Sequence, residues 1–215
     1  MAERYPERHP GELSLMVEDL AAERGSRRIL SGIDFQLHAG EALLVTGPNG
    51  AGKSTLLRVI AGFIAPAAGR VVLSPADPHH SLGERIHYVG HLNALRSSLS
   101  VSENATFWAR YLGGSSASVR PALERFGLDR LADIPAGYLS AGQKRRLCLA
   151  RLLLAHRPLW LLDEPTAALD QASAEITEEV VVKHTASGGL AIVATHHVLG
   201  LANARELKLD ASARP

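Results

Sequence analysis

The sequence predicts an α/β fold: a parallel sheet covered by helices on both faces, preceded by an antiparallel β subdomain and interrupted by an inserted α-helical subdomain. Three observations predict it. Residues 42–46, 159–162 and 190–194 are short continuous apolar runs, the mark of strands buried on both faces. Residues 13–20 and 33–37 alternate apolar and polar side chains, as half-buried antiparallel strands do. From residue 91 to about 153 the apolar period lengthens to between three and four, the spacing of helices. At 215 residues the chain fits one domain, with 1–90 and 154–215 as its core and 91–153 as the helical subdomain.

Taken in order, residues 1–12 are polar and broken by Pro6 and Pro10, without the apolar centre of a signal peptide. No run of about 18 apolar residues occurs, so the expectation is a soluble chain that reaches any membrane through a partner. Gly25-Ser26 turns between the first two strands. The strand at 42–46 leads into Gly47-Pro48-Asn49-Gly50-Ala51-Gly52-Lys53-Ser54-Thr55, and a helical run to residue 61 follows. Residues 69–73 and 86–89 read as further strands, separated by a loop at 75–80. Ser100 and Glu103 have the spacing of a capping box that opens a helix to about residue 112, which Gly113-Gly114 ends. A second helix covers 118–126, and the chain breaks again at 133–137. A third helix runs from about 140 to 153. The strand at 159–162 is closed by Asp163-Glu164. A helix over 171–187 is stopped by Gly188-Gly189, and the strand at 190–194 ends at Thr195-His196.

The stretch 47–55 matches G-x-x-x-x-G-K-[S/T] between a strand and a helix, the context that makes the pattern a P-loop. Its glycines, Gly47, Gly50 and Gly52, allow several backbone N–H groups to converge on one anion, and the helix start adds its positive dipole end. The product is a cradle for a di- or triphosphate. Lys53 brings a point charge to the outer phosphates, the Ser54 hydroxyl is the expected Mg²⁺ ligand, and Thr55 backs the α-phosphate side. Asp163 and Glu164 end a buried strand, where neighbouring side chains diverge. Asp163 is assigned to Mg²⁺ and Glu164 to general base for hydrolysis; the alternative is an ordinary Asp-Glu-Pro turn. Ser140 and Gln143 also have capping-box spacing. They read either as a well-capped helix or as a second anion site built from the Ser140 hydroxyl and the Gly142 N–H, and spacing alone does not separate the two.

Composition removes several classes. The formal net charge is +1 with no basic stripe, so no nucleic-acid partner is expected. An apolar content of 46% argues against disorder. The one cysteine, Cys148, excludes an intramolecular disulfide, and no C-x-x-C-H haem-attachment motif is present.

The ordered set 47–55, 139–143, 159–164, Ala167-Ala168-Leu169-Asp170 and Thr195-His196 resembles the motifs of ABC-transporter nucleotide-binding domains: Walker A, signature, Walker B, D-loop and switch histidine. The resemblance spans nearly the whole chain. It implies a RecA-like P-loop core of the ABC ATPase type, ATP and Mg²⁺ as cofactors, and a head-to-tail dimer. In that dimer Ser140, Gly142 and Gln143 of one copy close over the P-loop of another. His196 would contact the γ-phosphate, and Asp170 would communicate across the dimer. Two positions depart from the family pattern. His91 stands where a glutamine that senses Mg²⁺ or water and couples to the membrane partner is usual, so the resemblance places it with Ser54 and Asp163 at the metal, and Arg24 stands where an aromatic usually stacks on adenine. A guanidinium also stacks on a base.

Gly90-His91, Glu103-Asn104 with Phe107 and Trp108, Asp133-Ile134-Pro135, Leu139-Ser140-Ala141-Gly142-Gln143 with Arg145-Arg146, and Leu159-Trp160 before Leu161 to Glu164 are, as a set, similar to the haem-exporter ATP-binding subunits of bacterial cytochrome c maturation. Taken separately, Trp108 and Trp160 also read as core residues, and Arg145 and Arg146 as a solvated helix face. The resemblance implies an ATPase peripheral to the cytoplasmic face of the inner membrane, bound to membrane-embedded transporter subunits and touching haem only through partners. An ABC exporter of another cargo would share every strong motif. A soluble ABC ATPase of translation or DNA repair fits less well, because such chains usually carry two such domains, a long coiled-coil insertion or basic extensions.

Overall fold

The computed structural model describes residues 12–25, 27–196, 200–201 and 204–210. The polar stretch before residue 12 and Ser26 of the first turn lie outside them. Eight strands and five α-helices are present among these residues: β1 (Ser14–Arg24), β2 (Arg27–His38), β3 (Ala42–Thr46), α1 (Lys53–Ile60), β4 (Ala68–Ser74), β5 (Ile86–Val89), α2 (Val101–Tyr111), α3 (Val119–Arg125), α4 (Ala141–Ala150), β6 (Leu159–Asp163), α5 (Gln171–Ala186), β7 (Leu190–Ala194) and β8 (Arg205–Lys208).

Two sheets organise the chain. β1 pairs antiparallel with β2 on one side and β4 on the other. The second sheet is parallel, in the order β5-β6-β7-β3-β8. Its central strands β6 and β7 are buried at every residue, as their unbroken apolar sequence requires.

Side chains that alternate along these strands divide the interior in two. Leu159, Leu161, Leu190 and Ile192 face α1 (Leu56, Leu57, Ile60) and the antiparallel sheet (Leu15, Leu20, Phe35, Leu37). Trp160, Leu162, Ala191 and Val193 face the other way, onto Val180 and Val181 of α5 and the residues 101–154 that carry α2, α3 and α4. Trp160 is buried, as one reading of a lone Trp expected. The His184 ring stacks on it with centroids 3.8 Å apart and planes 4° from parallel, and His87 meets it edge-on at 6.1 Å. Burial pulls both histidines down to about 4, so both are neutral in the fold.

Helix ends follow their sequences. Ser100 and Glu103 form both halves of a capping box at α2, and the chain leaves that helix through Gly113 at φ 76°. The third helix is shorter than expected: α4 stops at Ala150, and a 3₁₀ turn over Arg151–Leu153 finishes the run. β8 has no counterpart in the sequence reading. It is a four-residue edge strand of mostly exposed polar side chains, Arg-Glu-Leu-Lys, with no apolar run to betray it.

Candidate nucleotide site

Parallel strands aim their C-terminal ends at one edge, where ligands of open α/β sheets bind. Four loops meet there: 47–52 after β3, Gly90-His91 after β5, Glu164 after β6, and Thr195-His196 after β7. Because β7 lies between β3 and β6, His196 falls between the glycine loop and the carboxylates.

The loop at 47–52 takes the conformations its glycines permit, with φ of 132° at Gly47, 83° at Gly50 and 102° at Gly52. At two of them space is as decisive as torsion. A Cβ on Gly47 would lie 2.2 Å from the Leu209 carbonyl oxygen, and one on Gly52 would lie 2.7 Å from Leu30 Cδ2. Gly52 is the N-cap of α1 and no side chain caps that helix, so its first N–H groups face the loop with the positive end of the dipole behind them. Pro48, Asn49 and Ala51 fill the loop, and Ser54 and Thr55, both half-buried, lie in the first turn of α1.

Lys53 is buried and bends back into the loop, donating from Nζ to Gly47 O at 2.7 Å and Pro48 O at 3.3 Å. Its Nζ also lies 2.9 Å from His196 Nε2, which is 2.8 Å from Asn49 Oδ1 and 3.5 Å from Glu164 Oε1. One tautomer serves one of these partners at a time. An unprotonated Nε2 accepts from the lysine, and a protonated one donates to Asn49 or faces Glu164.

Asp163 closes β6 and Glu164 follows it. Asp163 Oδ2 and Glu164 Oε1 are buried and accept no hydrogen bond among the described residues, a costly state for carboxylate oxygens unless a cation or donor meets them. That is the fit expected of a Mg²⁺ site completed by nucleotide phosphates. No group of three or more His, Cys, Asp or Glu side chains among the described residues makes a protein-only metal cage. Glu164 adopts φ 48°, a left-handed conformation unfavourable for a side chain of its kind.

Six predicted residues lie apart from this cluster. Arg24 is exposed at the end of β1, across the hairpin from Arg27. Its hairpin does approach the P-loop, through Ile29 and Leu30 against Gly52. His91 is exposed, lining a groove between the sheet and the helical region, and makes no hydrogen bond to the P-loop or to Asp163. Ser140, Gly142 and Gln143 stand at the start of α4. Ser140 Oγ accepts from Gln143 N at 3.2 Å while Gln143 Oε1 accepts from Ser140 N at 2.8 Å, a closed capping box. Asp170 caps α5, its Oδ1 accepting from Ser173 N at 2.8 Å, and those bonds hold its carboxyl below the usual range.

Arg145 corrects the sequence reading. A solvated helix face was one expectation for Arg145 and Arg146, yet Arg145 is 4% exposed and bonds to five acceptors around Asp163 and Gly90. Its spacing from Leu149, one helical turn on and fully buried, is the signal that placed it inward.

Residues 30–167 match the family pattern described as ABC transporter. The cytochrome c biogenesis ATP-binding export protein CcmA of Rhodopseudomonas palustris is 50% identical over 194 residues, covering 90% of this chain and 96% of the relative. CcmA of Rhizobium meliloti is 50% identical over 203 residues, covering 92% and 98%. Among solved structures, cbiO1 from Clostridium perfringens, part of the ABC transporter complex cbiONQ, superposes with a TM-score of 0.71 at 31% identity, covering 86% of this chain and 79% of that one.

Proposed function

The chain belongs to the ABC transporter family and, within it, to the CcmA group of ATP-binding export proteins, and from that premise we propose how its residues power export in cytochrome c biogenesis. ATP hydrolysis is the reaction. The observation that carries the proposal is the convergence of Lys53, His196 and Glu164, with Lys53 Nζ 2.9 Å and Glu164 Oε1 3.5 Å from His196 Nε2, at the end of the strand where Asp163 Oδ2 is buried and accepts no hydrogen bond among the described residues.

The triphosphate enters the loop 47–52 and takes N–H donors from it and from the start of α1. Lys53 Nζ leaves the Gly47 and Pro48 carbonyls for the β- and γ-phosphates. Ser54 and Asp163 are the residues that would hold Mg²⁺, which when bound neutralises phosphate charge. Glu164 accepts the proton of the attacking water, and His196 Nε2, released from Lys53 and Asn49, donates to the γ-phosphate. Arg24 stacks on the base from the neighbouring hairpin.

Two copies complete the machine. Ser140, Gly142 and Gln143 of one copy cover the nucleotide on the other, and Asp170 links the two sites. His91 is given to the membrane partner instead of the metal. It lines a groove of about 1380 Å³ with Tyr88, Trp108, Tyr111, Arg110 and Arg157, and transporter subunits seated there feel closure through residues 91–153, which act as a lever on the core formed by 1–90 and 154–215. No helix among the described residues is long and apolar enough to cross a membrane, so attachment to the cytoplasmic face of the inner membrane comes through those subunits, and haem contact with them.

The test is to purify the complex from detergent-solubilised membranes with wild-type chain and with Glu164→Gln. The wild-type complex is expected to hydrolyse ATP and bring down polytopic subunits with haem absorbance. Glu164→Gln should bind ATP and accumulate as a dimer while hydrolysis falls by roughly 100-fold or more, the scale of general-base loss. Undiminished hydrolysis removes Glu164 from that role, and recovery of an unrelated permease without haem overturns the cargo.

A further inference from the structure

The carboxylates of the proposed site stand on a turn whose geometry is fixed from outside. Glu164 occupies a left-handed conformation, and such a residue persists only where its surroundings over-determine it. Main-chain bonds supply part of this: Glu164 N donates to Ala194 O at the end of β7 at 2.8 Å, and within the turn Ala167 N donates to Glu164 O at 3.2 Å. Among the described residues, the side-chain bonds to the turn's carbonyls come from one residue on α4.

Arg145 Nη2 donates to Asp163 O at 2.9 Å and Glu164 O at 2.7 Å, and its Nε donates to Pro165 O at 3.0 Å. On its other edge Nη1 donates to Gly90 O at 2.8 Å and Asn93 Oδ1 at 3.3 Å. A guanidinium has five N–H donors in a rigid planar fork, and all five are used here. Every acceptor is neutral, four main-chain carbonyls and one amide, and among the described residues no carboxylate bonds to the cation directly. A buried charge held this way serves shape: a Met or Leu would fill the space at lower desolvation cost if packing were all the position required.

Three segments distant in sequence are thereby tied at one point. One is α4, which opens at Ser140. The second is the turn carrying Asp163 and Glu164. The third is the loop 90–93, which holds His91 toward the groove. We propose that Arg145 is a positioning residue for hydrolysis: its fork sets the turn that aims Glu164 into the nucleotide site and couples that turn to the loop lining the groove. The proposal rests on Glu164 acting as the base.

The test uses the full chain in its membrane complex. Arg145→Lys keeps the charge but offers a point donor in place of the fork. Its kcat for ATP is expected to fall about tenfold while ATP affinity, read by titration of a fluorescent ATP analogue, and melting temperature stay near wild type. A fall under threefold overturns the proposal, and so does a parallel loss of affinity and melting temperature, which would mark a packing role. If Arg145→Lys does not fold, Asn93→Ala decides. It removes one acceptor of the fork and should lower kcat about threefold at unchanged ATP affinity, and an unchanged kcat overturns the proposal. Glu164→Gln separates the two readings: if it hydrolyses normally, the base assignment fails. If it is inactive while Arg145→Lys is not impaired, only the positioning role fails.

Discussion

Helices α1 and α4 begin in opposite ways. Each follows a short motif with glycine near its start, and each has an amino-terminal turn whose N–H groups lack partners inside the helix. At α4 the chain closes that end itself, through the reciprocal Ser140–Gln143 bonds. At α1 the N-cap is Gly52 at φ 102°, which has no side chain to offer, and the cationic Lys53 is turned back into the loop. The difference teaches where an anion is taken up by one copy alone. α1 has no side-chain cap and a charge in waiting, whereas α4 commits Gln143 N to the Ser140 side chain, and in the proposed dimer its exposed Ser140, with Gly142, reaches a nucleotide held by another chain.

The sharpest way to break this comparison is Lys53→Ala. It should weaken ATP binding by roughly 100-fold, in line with about 2–5 kcal/mol for truncating one partner of a buried charge pair. A nucleotide titration of the isolated chain checks it, and unchanged affinity would mean that α1 is not the anion site.

An acid titration serves as the control that touches neither helix start. His87 and His184 are neutral in the fold, at about 4, while the unfolded chain takes up their protons near 6.5. The unfolded state therefore binds more protons between those values. Stability is full above pH 6.5 and falls as the pH drops toward 4, by about 2 kcal/mol for each histidine at pH 5. Urea unfolding at pH 7, 6 and 5, followed by tryptophan fluorescence since Trp160 lies against His184, measures it. Equal stability at pH 7 and 5 would contradict the burial of this pair.

The smallest effect is expected from Ser140→Ala. Loss of the cap should cost about 1 kcal/mol of stability with ATP affinity of the isolated chain unchanged. A loss of affinity in the isolated chain matching that of Lys53→Ala would collapse the distinction between the two helix starts.

The same contrast explains what the sequence could disclose. The P-loop is local: nine consecutive residues carry its torsions, its donors and its charge, so it can be read without knowing the fold. The strands beside it were legible for a similar reason, since alternation or an unbroken apolar run is visible within five to eight residues. Contacts assembled from remote segments were not. Arg145 joins residues 18 to 55 positions away, and arginine is by habit a surface residue, so only its helical spacing from Leu149 hinted at burial. β8 was invisible because an edge strand with three charged side chains in four has no pattern of its own, and its pairing with β3 is its only evidence. Ser140 and Gln143 illustrate a third situation, in which sequence named the right bonds and left their purpose open. The capping box is there, and its presence does not decide what else the serine touches.

That late strand has a consequence in time. β3, whose end becomes the P-loop, is flanked by β7 and β8, and beyond β8 Leu209 N donates to Thr46 O while the Leu209 carbonyl presses against Gly47. On the ribosome the nine residues of the motif emerge early, but the strand that braces them is made some 150 residues later, after every other segment of the site. A growing polypeptide paused before residue 205 would display the whole motif on an unbraced edge. The contacts that brace the motif are thereby among the last that synthesis supplies.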